Sequence, residues 1–229
     1  MKFCAIADLH GTLYWYDLAD KIKDVDVLLI AGDIVDLWSQ KSMLLSQEWF
    51  EEKFIPWTKD INCKHIVIVG GNHDFFLERK SDKFRELIEG TNIIYLENEY
   101  VTIDGITIYG TPLCHKFFNW AFMPDDEEQR KIIKSSISTD KHIDILLTHD
   151  APYGCSDQCF ETMNPQEHCG SYVIREIIEK YNPTYCIHGH LHSSDHKEEI
   201  LCNTKVYNVS IVNEDYKNVY EPLYFEINK

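Results

Sequence analysis

Five short apolar runs in this chain each end on a cluster of Asp, His or Asn, and this recurrence restricts the fold more than any other feature. The run Val67-Ile68-Val69 breaks at Gly70-Gly71 and continues into Asn72-His73-Asp74. A β-branched apolar run of this length reads as a buried strand, and glycines after it permit an abrupt turn and a close approach of the backbone. Phe3 to Ala7 leads into Asp8-Leu9-His10-Gly11, and Val27 to Ala31 into Gly32-Asp33-Ile34-Val35-Asp36. Ile143 to Thr148 leads into His149-Asp150, and Tyr185 to Ile187 into His188-Gly189-His190-Leu191-His192. Polar residues at the C-terminal ends of apolar strands are where an open α/β sheet places a ligand site.

Between these runs the pattern alternates between strand and helix. A short helix is expected over Tyr14 to Lys23. A longer one is expected over Met43 to Trp57, with Met43, Phe50, Phe54 and Trp57 on one stripe and its end near Pro56. Asp82 to Glu89 reads as a charged helix stopped by Gly90. Ile93 to Leu96 is a short strand. Val101-Thr102-Ile103, Asp104-Gly105 and Ile106 to Tyr109 form a hairpin signal with Asp-Gly as the turn. The hairpin leads to Gly110-Thr111-Pro112 and an aromatic run, Phe117 to Phe122, expected as a packed loop or subunit contact. Asp126 to Ser138 reads as a solvent-facing helix. Val173, Ile174, Ile177, Ile178 and Tyr181 recur at helical spacing behind Ser171, a candidate N-cap. Strands near Lys205 to Val209 and Leu223 to Ile227 close the chain. With no internal repeat or linker, residues 1–229 read as one α/β domain.

Charge and cysteine usage narrow the function. The formal net charge is −16, which opposes a long DNA or RNA footprint but leaves room for a small phosphorylated substrate if divalent cations reverse the sign locally. No apolar run of transmembrane length and no signal sequence precede the first strand, so a cytoplasmic protein without membrane attachment is expected, with room for a homo-oligomer. The eight cysteines suit free thiols in a reducing compartment. Cys155, Cys159 and Cys169, with His168 alongside, read as incidental thiols, and a structural zinc site is the alternative, since their spacing is a loose match to known patterns.

The polar strand ends supply Asp8, His10, Asp33, Asn72, His149, His190 and His192. Three oxygen donors and four imidazoles suit first-row transition ions better than calcium or magnesium alone. Seven ligands exceed the need of one ion, and two ions sharing one carboxylate would use them, with Asp33 as the natural bridge.

In order and type, Asp8-x-His10, Gly32-Asp33, Gly71-Asn72-His73-Asp74, His149 and Gly189-His190-x-His192 resemble the five motifs of the calcineurin-like metallophosphoesterases. The resemblance implies a four-layer sandwich of two mixed β-sheets flanked by α-helices. It implies one ion on Asp8, His10, Asp33 and His192 and another on Asp33, Asn72, His149 and His190. Mn is favoured, with Fe, Zn or Ni as alternatives. A hydroxide bridging the two ions would attack phosphorus in line. His73 is implied as the acid that protonates the leaving alkoxide, and Asp36 as the carboxylate that orients His73. Asn72 and His115 are the candidate substrate contacts.

Departures within the resemblance bear on substrate. Related protein phosphatases carry an arginine after the residue equivalent to Asp36, and Leu37 stands here. Losing that cation favours a phosphodiester over a dianionic monoester. Gly110-Thr111-Pro112, Phe118 to Phe122, Thr148 to Gly154 and Asn208-Val209-Ser210 are similar to small single-domain metallophosphodiesterases of the brain 239 type, which act on cyclic nucleotides and model diesters. Asp150 departs from them where a glycine is usual. The resulting expectation is a phosphodiesterase acting on a small diester. A phosphomonoesterase or nuclease of the same fold is the alternative, and a non-catalytic scaffold the remaining reading.

Overall fold

A computed structural model describes residues 1–13, 17–159, 167–194 and 196–228. In chain order the first half comprises β1 (Lys2–Ile6), α1 (Leu18–Lys21), β2 (Val27–Ala31), α2 (Met43–Trp49), α3 (Ile55–Lys59), β3 (His65–Val69), α4 (Phe75–Arg79), α5 (Ser81–Leu87), β4 (Ile93–Tyr95), β5 (Glu99–Ile103) and β6 (Ile106–Thr111). Then follow α6 (Asp126–Ser136), β7 (Ile145–Thr148), β8 (Gln158–Cys159), β9 (Glu167–His168), α7 (Tyr172–Tyr181), β10 (Tyr185–His188), β11 (Glu199–Leu201), β12 (Thr204–Asn208) and β13 (Leu223–Glu226). The expected helix from Tyr14 begins outside the described residues, and α1 is its described part. Among the described residues no helix is long and apolar enough to cross a membrane.

Two mixed sheets form the centre. One has the order β13-β1-β2-β3-β4 and the other β11-β12-β10-β7-β6-β5. Strands β1 to β4 run parallel, with β13 antiparallel at the edge. In the second sheet β12, β10, β7 and β6 are parallel, and β11 and β5 are antiparallel edges. Alternate residues of each strand face opposite layers. Phe3, Ala5, Val27, Leu29, Val67 and Val69 meet Ile106, Ile108, Ile145, Leu147 and Ile187 between the sheets. Cys4, Ile6, Leu28, Ile30, Ile66 and Ile68 face outward onto Phe50, Phe54, Trp57, Phe76 and Phe84 of the first helical layer. Tyr109, Leu146, Cys186 and Val206 pack on Ile133, Val173, Ile174, Ile177 and Ile178 of α6 and α7. The result is the expected four-layer sandwich. The inner strands β2, β6 and β7 are buried along their whole length because both faces of each sheet are covered there.

The expected continuous helix over Met43 to Trp57 is interrupted by a π-helical turn, Phe50–Phe54, between α2 and α3. Pro56 sits in the first turn of α3 and supplies no N–H to the turn before it, and its ring would crowd an ordinary α-turn. The wider turn keeps Phe50, Phe54 and Trp57 buried on one stripe. Asp125 and Ser171 cap α6 and α7 by accepting from Glu128 N–H and Ile174 N–H.

Because the central strands run parallel, their C-terminal ends share one edge of the sandwich. A parallel bridge between Ala7 and Ser210 joins the two sheets there. All five polar clusters of the sequence emerge at that edge.

Candidate active site

The turns after β1, β2, β3, β7 and β10 build the site. Asp8, His10, Asp33 and His190 adopt positive φ of 58°, 41°, 52° and 71°. Such left-handed conformations cost non-glycine residues about 1–2 kcal/mol each, so the surrounding structure must enforce them. Asp8 N–H donates to Gly32 O at 3.0 Å and His10 N–H to Asp33 O at 3.0 Å, lacing the first turn to the second. Asp74 is fully buried and ties the second to the third. Its carboxylate accepts from Ile34 N–H at 3.1 Å, Val35 N–H at 3.0 Å and Gly71 N–H at 2.9 Å. Burial and the neighbouring Asp33 charge push the Asp74 carboxyl up to about 7. Gly189 allows the fifth turn to close on the first, since a Cβ there would lie 2.4 Å from both Ala7 Cβ and Asp8 Oδ2.

Asp33 stands at the centre. Its Oδ2 lies 3.6 Å from His10 Nε2, 3.4 Å from His149 Nε2 and 3.8 Å from His73 Nε2. Its Oδ1 accepts from His73 N–H at 2.8 Å. His149 Nδ1 meets Ala31 O at 2.7 Å, so that nitrogen carries hydrogen and Nε2 turns inward, 3.0 Å from Asn72 Oδ1. His192 Nε2 lies 3.5 Å from Asp8 Oδ1, and the His190 ring centroid is 5.0 Å from that of His149. The described side chains close enough to hold an ion in the space between them are Asp8, His10 and His192; His10, Asp33 and His73; Asp8, Asp33 and His149; and His115, Asp150 and His190.

The electrostatics fit cations. Both ring nitrogens of His10 are buried without a hydrogen-bond partner, which is costly unless a positive ion takes a lone pair. Burial pushes the His10 and His190 imidazoles down to about 4, keeping them neutral, as ligands must be. Burial would raise Asp8 and Asp33, but the imidazoles beside them hold both carboxyls below the usual range. Burial would also lower His149, yet Asp33 outweighs it and raises the ring to about 10. The donor set thus holds two anionic carboxylates in a buried space beside the neutral imidazoles of His10 and His190, which suits divalent cations once His149 gives up its proton.

A cleft of about 450 Å³ opens above this space, lined by Leu37, Gln40, His73, Phe117, Trp120, Glu214 and Tyr216 among others. His73 stacks on Trp120 with centroids 4.5 Å apart, so the aromatic run does more than pack the surface. Phe122 is buried, while Phe118 is exposed.

One expected contact is not made. Asp36 does not orient His73. Its Oδ1 accepts from Trp38 N–H at 2.9 Å and Ser39 N–H at 3.1 Å, capping its own loop, and His73 Nδ1 pairs with Gln40 Oε1 instead. A carboxylate one turn beyond a strand end finds backbone donors closer than the ring. In the cysteine-rich segment Cys155, Cys159 and Cys169 are free thiols. Among the described residues no group able to hold a metal includes a cysteine, and His168 Nδ1 pairs with Asp157 at 2.6 Å; residues 160–166 lie outside the description. His115 lies at the rim, its ring centroid 6.2 Å from that of His190. Asp150 accepts from His115 N–H at 2.7 Å and pairs with its Nδ1 at 2.8 Å, so the unusual aspartate fixes this histidine. Gln40, Trp120 and the Asp74 brace are not legible in the sequence as parts of the site. Asp74 and Trp120 fall inside quoted stretches, but no spacing assigns either of them, or Gln40, a partner in the site.

The two-sheet sandwich carries its carboxylate–imidazole set at the strand ends, and this places the chain in the class of calcineurin-like phosphoesterases. The family model for calcineurin-like phosphoesterases matches residues 1–194, and the chain belongs to that family. A UPF0046 protein of Caenorhabditis elegans is 27% identical, with 99% of this chain aligned to 60% of that protein's length. Human metallophosphoesterase domain-containing protein 1 is 24% identical, over 99% of this chain and 71% of its own. Among solved structures, the phosphopantetheinyl hydrolase of Mycobacterium tuberculosis superposes with a TM-score of 0.63 at 14% identity, covering 96% of this chain and 93% of that one. A protein of Thermus thermophilus gives 0.62 at 16% identity, covering 90% and 88%. These likenesses bear on the fold, and the family carries divalent-metal chemistry.

Proposed function

We propose that the chain is a dinuclear phosphodiesterase that hydrolyses a small phosphodiester. The observation that carries this reading is the placement of Asp33, whose Oδ2 lies 3.6 Å from His10 Nε2 and 3.4 Å from His149 Nε2. Asp8, His10, Asp33 and His192 would hold one cation, and Asp33, Asn72, His149 and His190 the other. Two bound divalent ions supply Lewis acidity toward phosphate oxygens and an activated water, with manganese the favoured metal. The chain's own residues do the rest. The strained turns fix the donors before substrate arrives. His73, 13% exposed at the cleft floor, presents Nε2 where an alkoxide would leave and gives it a proton as the P–O bond breaks. Trp120 and His10 hold the ring between a face and an edge.

Preference for a diester is supported by the lining of the cleft. Leu37 occupies the position where an arginine would grip a monoester, and Glu214 adds a negative charge. Among the described lining residues there is no Lys or Arg. A dianion would meet the repulsion of Glu214 and no bidentate partner. The diester is proposed as a cyclic nucleotide or a molecule of similar size, and the net charge of −16 disfavours long nucleic acid.

The test compares kcat/KM for matched mono- and diesters of one nucleoside in the manganese-loaded protein. The diester should be preferred, and Leu37→Arg should move the ratio toward the monoester. A wild-type preference for the monoester of tenfold or more would overturn the diester reading. A complete lack of hydrolysis on bis-p-nitrophenyl phosphate and all nucleotides would favour the scaffold reading instead.

A further inference from the structure

We infer that Gln40 is a positioning residue for the reaction: it fixes the tautomer and orientation of His73 so that only Nε2 exchanges a proton with the leaving group. The inference rests on the proposed role of His73 as leaving-group acid.

The side-chain amide of Gln40 is oriented by a contact independent of His73. Its Nε2 donates to Leu37 O at 2.8 Å. The opposite amide orientation would set two oxygens against each other at Leu37, so the assignment of oxygen and nitrogen is fixed by the backbone. Oε1 must then face His73 Nδ1, with which it forms a short contact. An amide oxygen only accepts, so the hydrogen shared between them belongs to Nδ1. When His73 protonates a leaving alkoxide, the proton leaves Nε2, the P–O bond breaks, and the neutral ring remains bound to Gln40 through Nδ1–H. Without that acceptor, the neutral ring could place its hydrogen on Nε2 and its lone pair on Nδ1, facing away from the cleft.

Packing cannot replace this hydrogen bond. Stacking on Trp120 and the edge contact with His10 confine the ring plane but do not discriminate between the two ring nitrogens. The alternative orienting group, Asp36, has Oδ1 committed to Trp38 N–H and Ser39 N–H, and its buried Oδ2 makes no hydrogen bond to His73 or to any other group among the described residues. A neutral amide therefore stands where the resemblance implied a carboxylate.

The test uses two-bond 1H–15N spectra of histidine-labelled protein, metal-free and zinc-loaded, with His73 assigned by comparison with His73→Ala. Turnover is measured in parallel on a cyclic nucleotide, with an alkoxide leaving group, and on bis-p-nitrophenyl phosphate, with a stabilised phenolate. Wild-type His73 should show hydrogen on Nδ1. Gln40→Leu should lose that preference and lower the alkoxide-to-phenolate ratio of kcat roughly tenfold, part of the ~10²–10⁴ attributed to general acid catalysis. Gln40→Glu, which keeps an acceptor oxygen, should restore most of both signals. Gln40→Met provides a second neutral variant if the leucine form does not fold. Hydrogen on Nε2 of wild-type His73 would overturn the inference. So would a wild-type tautomer and ratio in both neutral variants while His73→Ala lowers the ratio. An unchanged ratio in His73→Ala would instead overturn the leaving-group role itself, and with it the need for Gln40.

Discussion

Gly71→Ala gives a direct test of how tightly the site is built. A Cβ at Gly71 would stand 2.3 Å from Asp33 Oδ1, 2.4 Å from Asp33 N and 2.8 Å from His149 Cε1. None of these atoms is free to retreat. Asp33 N belongs to the backbone of a strained turn, its Oδ1 holds His73 N–H, and His149 is anchored to Ala31 O. Overpacking of this kind costs about 1–3 kcal/mol. In a chain of this length each kcal/mol lowers Tm by about 2–4 °C, so a fall of roughly 2–12 °C is expected. Thermal unfolding in chelator measures that cost without the metals, and elemental analysis of the reloaded protein measures the damage to the donor set. Gly90→Ala is the control: its φ of +76° makes any side chain strained, but a Cβ there meets nothing within 4 Å. It should cost about 1–2 kcal/mol and leave metal content intact. A Gly71→Ala protein matching wild type in both Tm and metal content would refute the packing argument.

Two further outcomes follow from the same geometry. Asp33→Asn should reduce occupancy at both metal positions, and elemental analysis that finds one of them still full would remove the shared-carboxylate assignment. Metal affinity should rise with pH, because the folded pKa of His149 is about 10, above its ordinary 6.5. In the metal-free chain this protonated ring stabilises the fold fully below pH 6.5, and the contribution is lost as pH rises through about 10. A cation must displace that proton, so calorimetry in buffers of different ionisation enthalpy should show proton release near pH 7 that fades toward pH 10. Affinity flat across this window would refute the coupling.

Much of the architecture is written locally. Buried strands announce themselves as apolar runs because both sheet faces are covered, and Asp104-Gly105 and Ser171 state a turn and a cap through their own backbone preferences. The edge strand β11 does not show in the sequence because Glu199-Ile200-Leu201 is too short and too half-exposed to carry a pattern. The stretch Met43 to Trp57 reveals its buried stripe but not its π turn, since a stripe records burial and not hydrogen-bond register.

What the sequence determined by itself is the inventory at the strand ends. Asp8, His10, Asp33, Asn72, His149, His190 and His192 each follow an apolar run, and parallel strands must deliver such residues to one edge. What only the tertiary structure decided is which groups touch once they arrive. Gln40 and His73 are 33 residues apart, Asp150 and His115 are 35 apart, and Asp36 lies closer to His73 in the chain than Ala31 does to His149. Side-chain pairing across loops depends on strand order, turn dihedrals and competition from nearby backbone N–H groups. None of these has a sequence period, so the partner of His73 is visible only in the folded chain, where Leu37 O orients the Gln40 amide.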